Sequence, residues 1–176
     1  MTKEPVEREL VCEGRWCSIS YAIRRDGTTA PAREVLDYLK EGTWSEGEDV
    51  AMHADEQVET YAALMQSMQH YAEHGDGDRE ESMNGLDDGI FEFKAGRARI
   101  AFFDTPGDGT FTPRWKISNR DDSPNPDSVT WHIPDLDPHI RLCNGWPKRG
   151  QKTNPGDISF ARKVRFEDLE HDRKQR

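Results

Sequence analysis

Ile90-Phe-Glu-Phe-Lys-Ala-Gly-Arg-Ala-Arg-Ile-Ala-Phe-Phe103 is the stretch that decides the fold class. Ile90–Phe93 alternates apolar and polar residues, the two-residue period of a strand. Ala98–Phe103 is apolar enough for a strand in the middle of a sheet, and Ala95-Gly96 between the two runs predicts a tight hairpin. Upstream, Cys17–Ile23 alternates with Ile19, Tyr21 and Ile23 on one face, and Asp26-Gly27 ends it. Downstream, His139-Ile-Arg-Leu-Cys143 returns to the sheet.

Helical periodicity fills the rest. Thr28 or Thr29 is a candidate cap for a short helix entered through Pro31, with Val35, Leu36 and Leu39 as its buried stripe. After a polar loop at 41–49, the pattern predicts a long helix over 50–74. Its stripe is Val58, Tyr61, Met65, Met68 and Ala72, and its stop is Gly75. Pro155 or Gly156 opens a last helix through about Leu169, with a weaker face of Ile158, Ala161, Val164 or Arg165, and Leu169. Between the strands, 105–138 is rich in Pro, Gly, Asp and Asn and reads as an inserted excursion. Two strand-like pieces, Arg114–Ser118 and Val129–Ile133, interrupt it. The expectation is a single α+β domain over 1–176, a small antiparallel sheet with helices packed on one face. Residues 1–9 are expected to fray and 170–176 to form a polar tail.

Composition bounds the function. Apolar residues make up 34% of the 176 and charged residues 33%, so the core is modest and the surface strongly solvated. No apolar run approaches the ~20 residues that span a bilayer, and the charged N-terminus lacks a secretory h-region. A cytoplasmic protein without a membrane contact is expected. Cys12, Cys17 and Cys143 have no metal-ligand spacing and read as reduced structural thiols. His70 and His74 stand four apart on the long helix near Asp76 and Asp78. With no further ligand evident they read as a polar face, and neither metal nor cofactor is expected. The net charge of −10 is unevenly distributed: residues 1–88 carry −13 and residues 89–176 carry +3. A basic C-terminal surface is therefore compatible with an anionic partner despite the global sum.

Four segments, in order, resemble one family. Thr28–Leu39 is similar to its helix start, G-x-S-P-V-R-E-F-L-D-x-L, and Gly85–Lys94 to its strand entry, K-L-x-D-G-L-Y-E-L-R. Gly96–Phe103 is similar to G-x-x-R-I-x-Y-F. Asn144–Pro155, followed by Ile158 and Ala161, is similar to H-G-F-x-K-K-x-Q-K-T-P-x-x-E-I-x-x-A. Together they resemble the RelE/ParE superfamily, especially its HigB-like and phage-derived toxins. The chain departs from the pattern in its long 105–138 insertion and its acidic N-terminal half.

The resemblance implies a toxin that cleaves mRNA on the ribosome without a metal and is held in check by a small helix-turn-helix antitoxin. In-line attack by a ribose 2′-hydroxyl needs a base, cations on the phosphate and an acid for the leaving oxygen. It puts Arg97, Arg99, Lys148, Arg149 and Lys152 forward as the catalytic cations, Arg suiting bidentate phosphate contact. Arg141 is expected on the same face as Arg99. Trp146 is either a stacking platform for a base or a plug at a strand end. Arg162, Lys163 and Arg165 form a phosphate stripe or simply suit the helix dipole. Any one of these cations is equally compatible with a solvated sheet rim. The competing function is a non-catalytic interaction module on the same fold: a ParE-like topoisomerase inhibitor, or a phage-encoded protein that binds a host factor through 105–138.

Overall fold

The hairpin expected at 90–103 forms as β4 (Phe91–Ala95) and β5 (Ala98–Thr105), turning through Gly96 in the left-handed region at φ +53°. The computed structural model describes residues 6–45, 52–150 and 152–175. It sets β5 between β4 and β6 (His139–Pro147) in a six-stranded sheet. With β1 (Leu10–Glu13), β2 (Ser18–Tyr21) and β3 (Met83–Gly85) the order is β1-β2-β6-β5-β4-β3. Three α-helices accompany it: α1 (Pro31–Glu41), α2 (Ala54–His74) and α3 (Pro155–Arg173). The class is α+β. No described helix is long and apolar enough to cross a membrane.

The sheet is mixed, not antiparallel. β2 runs parallel to β6, with Ser18 opposite His139 and Tyr21 opposite Leu142. These two strands are joined through the rest of the fold, so no short turn dictates an antiparallel pairing. The helices also cover both faces rather than one. Ile100 and Phe102 point toward Leu36, Leu39, Leu64 and Met68 of α1 and α2, whereas Ala101 and Phe103 meet Ala161, Val164 and Leu169 of α3. All eight residues of β5 are buried, and a strand apolar on both faces requires cover on both. The Phe93 and Phe102 rings stack across the hairpin at 4.5 Å.

Several local expectations shift. Asp26, not a threonine hydroxyl, organises the entry to α1 by accepting from the N–H groups of Thr28 (3.0 Å) and Thr29 (2.8 Å). In α2, Met68 and Ala72 are buried as expected, but Val58 is 46% exposed and Gln57 is buried instead. The Gln57 amide satisfies main-chain groups of Trp44 and Met52, so a polar residue wins the inward position. The described part of the 41–49 loop includes Gly42, which caps α1 at φ +73°. Positions 46–51, where the helix was expected to begin, lie outside the described residues, and so do 1–5 and 176.

The described parts of both expected loose ends, 6–9 and 170–175, are anchored. Arg8 donates to Asp168 at 2.8 Å, and the Glu9 carbonyl accepts the Tyr21 N–H at 3.0 Å. The segment expected as a polar tail continues α3 to Arg173, because Asp168 and Asp172 hold it against Arg8 and Arg141. The excursion contains one 3-10 turn, Arg120–Asp122, and its two strand-like pieces form no strand. They meet through the Ile117 N–H and the His132 carbonyl at 2.8 Å.

Candidate functional site

The pleat of the decisive hairpin also builds a site. Phe91 and Phe93 turn toward α1 and α2, so Glu92 and Lys94 project from the opposite face of β4. Lys94 is paired across the sheet with Arg99 of β5, and Arg99 with Trp146 of β6, making a three-strand row. α3 covers only part of this face. Beside its N-terminus the row lies open in a cleft of about 450 Å³, lined by Asn84, Glu92, Lys94, Arg99, Trp146, Lys148, Arg149 and Lys152 together with the 153–157 segment.

The loop that carries Lys148, Arg149 and Lys152 is fixed at both ends. The Lys148 N–H donates to the Arg97 carbonyl at 2.7 Å. At the other end Asn154 caps α3, its Oδ1 accepting the Gly156 N–H at 2.8 Å, and Pro155 supplies a preset φ. The first turn of α3 therefore faces the cleft and adds its positive dipole end to the cations.

Burial polarises the floor. Glu92 is 3% exposed, its Oε2 has no hydrogen-bond partner among the described residues, and its Oε1 lies 3.9 Å from Arg99 Nε. Desolvation pushes its carboxyl above the ordinary carboxylate range, against the pull of Arg99, Asn84, Lys94 and Lys148. Lys94 moves the other way. Desolvation lowers its ammonium, the nearby Arg99 and Lys148 charges add to that, and Glu92 and Glu81 oppose it. Arg99 is held rigidly, donating to the carbonyls of Gly96 (2.8 Å) and Ala98 (2.9 Å).

Of the residues singled out in the sequence, Arg99, Lys148, Arg149, Lys152 and Trp146 come together here. Trp146 is only 5% exposed and packs with the α3-side core, so it is a strand-end plug that presents an edge to the cleft. Arg97 does not line the cleft; its side chain is exposed at the hairpin turn. Arg141 shares the face of Arg99 but lies under α3, buried against Asp168 at 2.7 Å and Asp172 at 2.5 Å. Arg162 is turned to Asp87 (2.9 Å) and Asp88 (3.2 Å), and Lys163 lines a separate groove with Phe111 and Phe166. Cys143 is fully buried and its thiol is pushed up by desolvation, as expected of a structural cysteine. The His70 and His74 rings lie 4.5 Å apart, and no described group of three or more His, Cys, Asp or Glu residues is placed to hold a metal ion.

Sequence reasoning missed Glu92, Lys94 and Asn84. For Glu92 and Lys94 the signal was present: charged residues at alternate positions of an otherwise apolar strand. In comparisons with known proteins, no family model matches the chain and no curated protein matches it.

Proposed function

We propose that this chain is a RelE/HigB-like toxin, an endoribonuclease that cuts mRNA on the ribosome. One observation carries the reading: Lys94, Arg99, Lys148, Arg149 and Lys152 line one open cleft with the buried carboxylate of Glu92, the half-buried Asp157 being the other acid there. The cations suit a ribose-phosphate strand, and the guanidinium of Arg99 is pre-aimed by its two carbonyl bonds. Glu92 and Lys94 are a base and an acid whose environments draw their pKa values toward each other.

In the proposed step, Glu92 takes the proton from a ribose 2′-hydroxyl as its oxygen bonds to the adjacent phosphorus. Lys94 gives a proton to the leaving 5′-oxygen as the P–O5′ bond breaks, leaving a 2′,3′-cyclic phosphate. Arg99, Lys148 and Lys152 offset the charge that grows on the phosphorane oxygens. Ribosome and mRNA as partners, and a helix-turn-helix antitoxin, follow from the family resemblance. The net charge of −13 on residues 1–88 favours contact with ribosomal RNA through the basic 148–152 loop, because phosphate repels carboxylate, although Glu80 and Glu81 of the acidic half border Lys94, Arg99 and Lys148.

The test is inducible expression followed by mapping of mRNA 5′ ends. Codon-phased cuts support the nuclease. Growth arrest without cuts favours the non-catalytic module, a reading to which the excursion's exposed Trp115 (63%) and Val129 (48%) lend some weight.

A further inference from the structure

The excursion is bolted to the sheet at several points. Asp104, fully buried at the end of β5, accepts from Arg114 at 2.7 Å and from the Asp137 N–H at 2.7 Å, so it clamps both stalks. Asp76, just beyond α2, accepts from Thr130 at 2.6 Å and also from Ser128. His132 Nε2 lies 3.2 Å from the Met83 carbonyl on the outer edge of β3. These contacts lay the 114–118 piece along β3, the edge of the sheet nearest the cleft.

Gly85 is what permits the close approach. A Cβ there would stand 3.0 Å from Lys116 Cβ, so the bare backbone receives the lysine stem. The stem carries the Lys116 ammonium to within 3.1 Å of Asn84 Oδ1, and Asn84 is the register partner of Glu92 and a lining residue of the cleft. An ammonium can only donate, so it engages the carbonyl end of the Asn84 amide and leaves the NH2 end for the carboxylate.

We propose that Lys116 is a positioning residue: it fixes the orientation of the Asn84 amide, and the amide aligns the Glu92 carboxylate in the cleft. The inserted excursion is then a working wall of the site. The role in cleavage rests on the ribonuclease reading above; the relay itself does not. The Asn84 amide lowers the Glu92 pKa, as do the charges of Arg99, Lys94 and Lys148 that face Glu92 from β5, β4 and the end of β6. Loosening the amide therefore moves the Glu92 midpoint further up.

The experiment is a carboxyl-carbon NMR titration of Glu92 in the full chain for wild type, Lys116→Met, Lys116→Arg, Asn84→Leu and the Lys116→Met/Asn84→Leu double variant. The expected result is an upward shift for Lys116→Met, a larger one for Asn84→Leu, and recovery in Lys116→Arg. In the Asn84→Leu background the lysine change should add nothing. Equal shifts from Lys116→Met with and without Asn84 would mean a direct charge effect and would overturn the relay. So would an unmoved midpoint in Lys116→Met beside a shifted one in Asn84→Leu. Lys116 is exposed and Asn84 is half-buried on the edge strand β3, so these variants are expected to fold, and a backbone amide spectrum checks each of them. If wild type cuts RNA, the acid limb of its pH–rate profile should move with the NMR midpoint. If it cuts none, the ribonuclease reading falls and the titration still decides the relay.

Discussion

Asp168→Asn should be the most damaging single-charge change in the molecule. The Asp168 side chain is fully buried on α3 and accepts from Arg8 Nε (2.8 Å), Arg141 Nη1 (2.7 Å) and the Ile23 N–H (3.0 Å). It thus joins the N-terminal arm, β6 and Ile23, two residues beyond β2, through one carboxylate. Asparagine keeps the shape and removes the charge, which leaves Arg8 and Arg141 to share Asp172. Arg141 has a 7% exposed side chain, and breaking a buried ion pair from one side costs roughly 3–5 kcal/mol. At about 2–4 °C per kcal/mol for a chain of this size, melting should fall by about 6–20 °C. The assay is a thermal melt of wild type, Asp168→Asn, Arg141→Met and the double variant. The double variant should lose clearly less than the sum of the singles, because no unpaired charge is left behind. An Asp168→Asn melt within ~1 kcal/mol of wild type, or strict additivity, would refute the view that this network seats α3 and so shapes the cleft.

Three further outcomes are expected. Glu92→Gln should raise the melting temperature at neutral pH. The folded carboxyl has a raised pKa, so above it folding carries the cost of ionising a buried group, and the gain should vanish as pH falls below the ordinary carboxylate value. Melts across pH 4–8 check this. The thiols should resist a disulfide reagent in the native state and all react on unfolding, since burial pushes Cys12 up to about 11 and Cys17 up to about 12. Lys152→Met should change stability by no more than ~0.5 kcal/mol. It should nevertheless weaken binding of a single-stranded RNA and flatten its salt dependence, read by titration at several ionic strengths.

The hairpin, the three helices and the return strand were legible because each repeats a simple period over several residues. Direction and layering were not. The parallel pairing of β2 with β6 depends on the whole chain path, although the unbroken apolar run at 98–103 already asked for cover on two faces. β1 was missed because Leu10-Val-Cys-Glu13 does not alternate, and β3 because three residues are too few to show a period. For the site, the loop cations were legible as a cluster on a Gly/Pro-bounded segment. Arg141 was misplaced because strand parity gives its face but not the helix laid over it. Glu92 was missed because an acid does not stand out in a search for phosphate-binding cations, yet it occupies the floor of the cleft.

The central claim is that Glu92, within its ring of cations, takes the proton from a ribose hydroxyl. Single-turnover cleavage of mRNA on programmed ribosomes, wild type against Glu92→Gln, tests it most directly. The account predicts cutting by wild type to a 2′,3′-cyclic phosphate end and a loss on the order of a hundredfold or more in Glu92→Gln, with the fold intact. Cleavage by Glu92→Gln at the wild-type rate, or no cleavage by wild type, would contradict it.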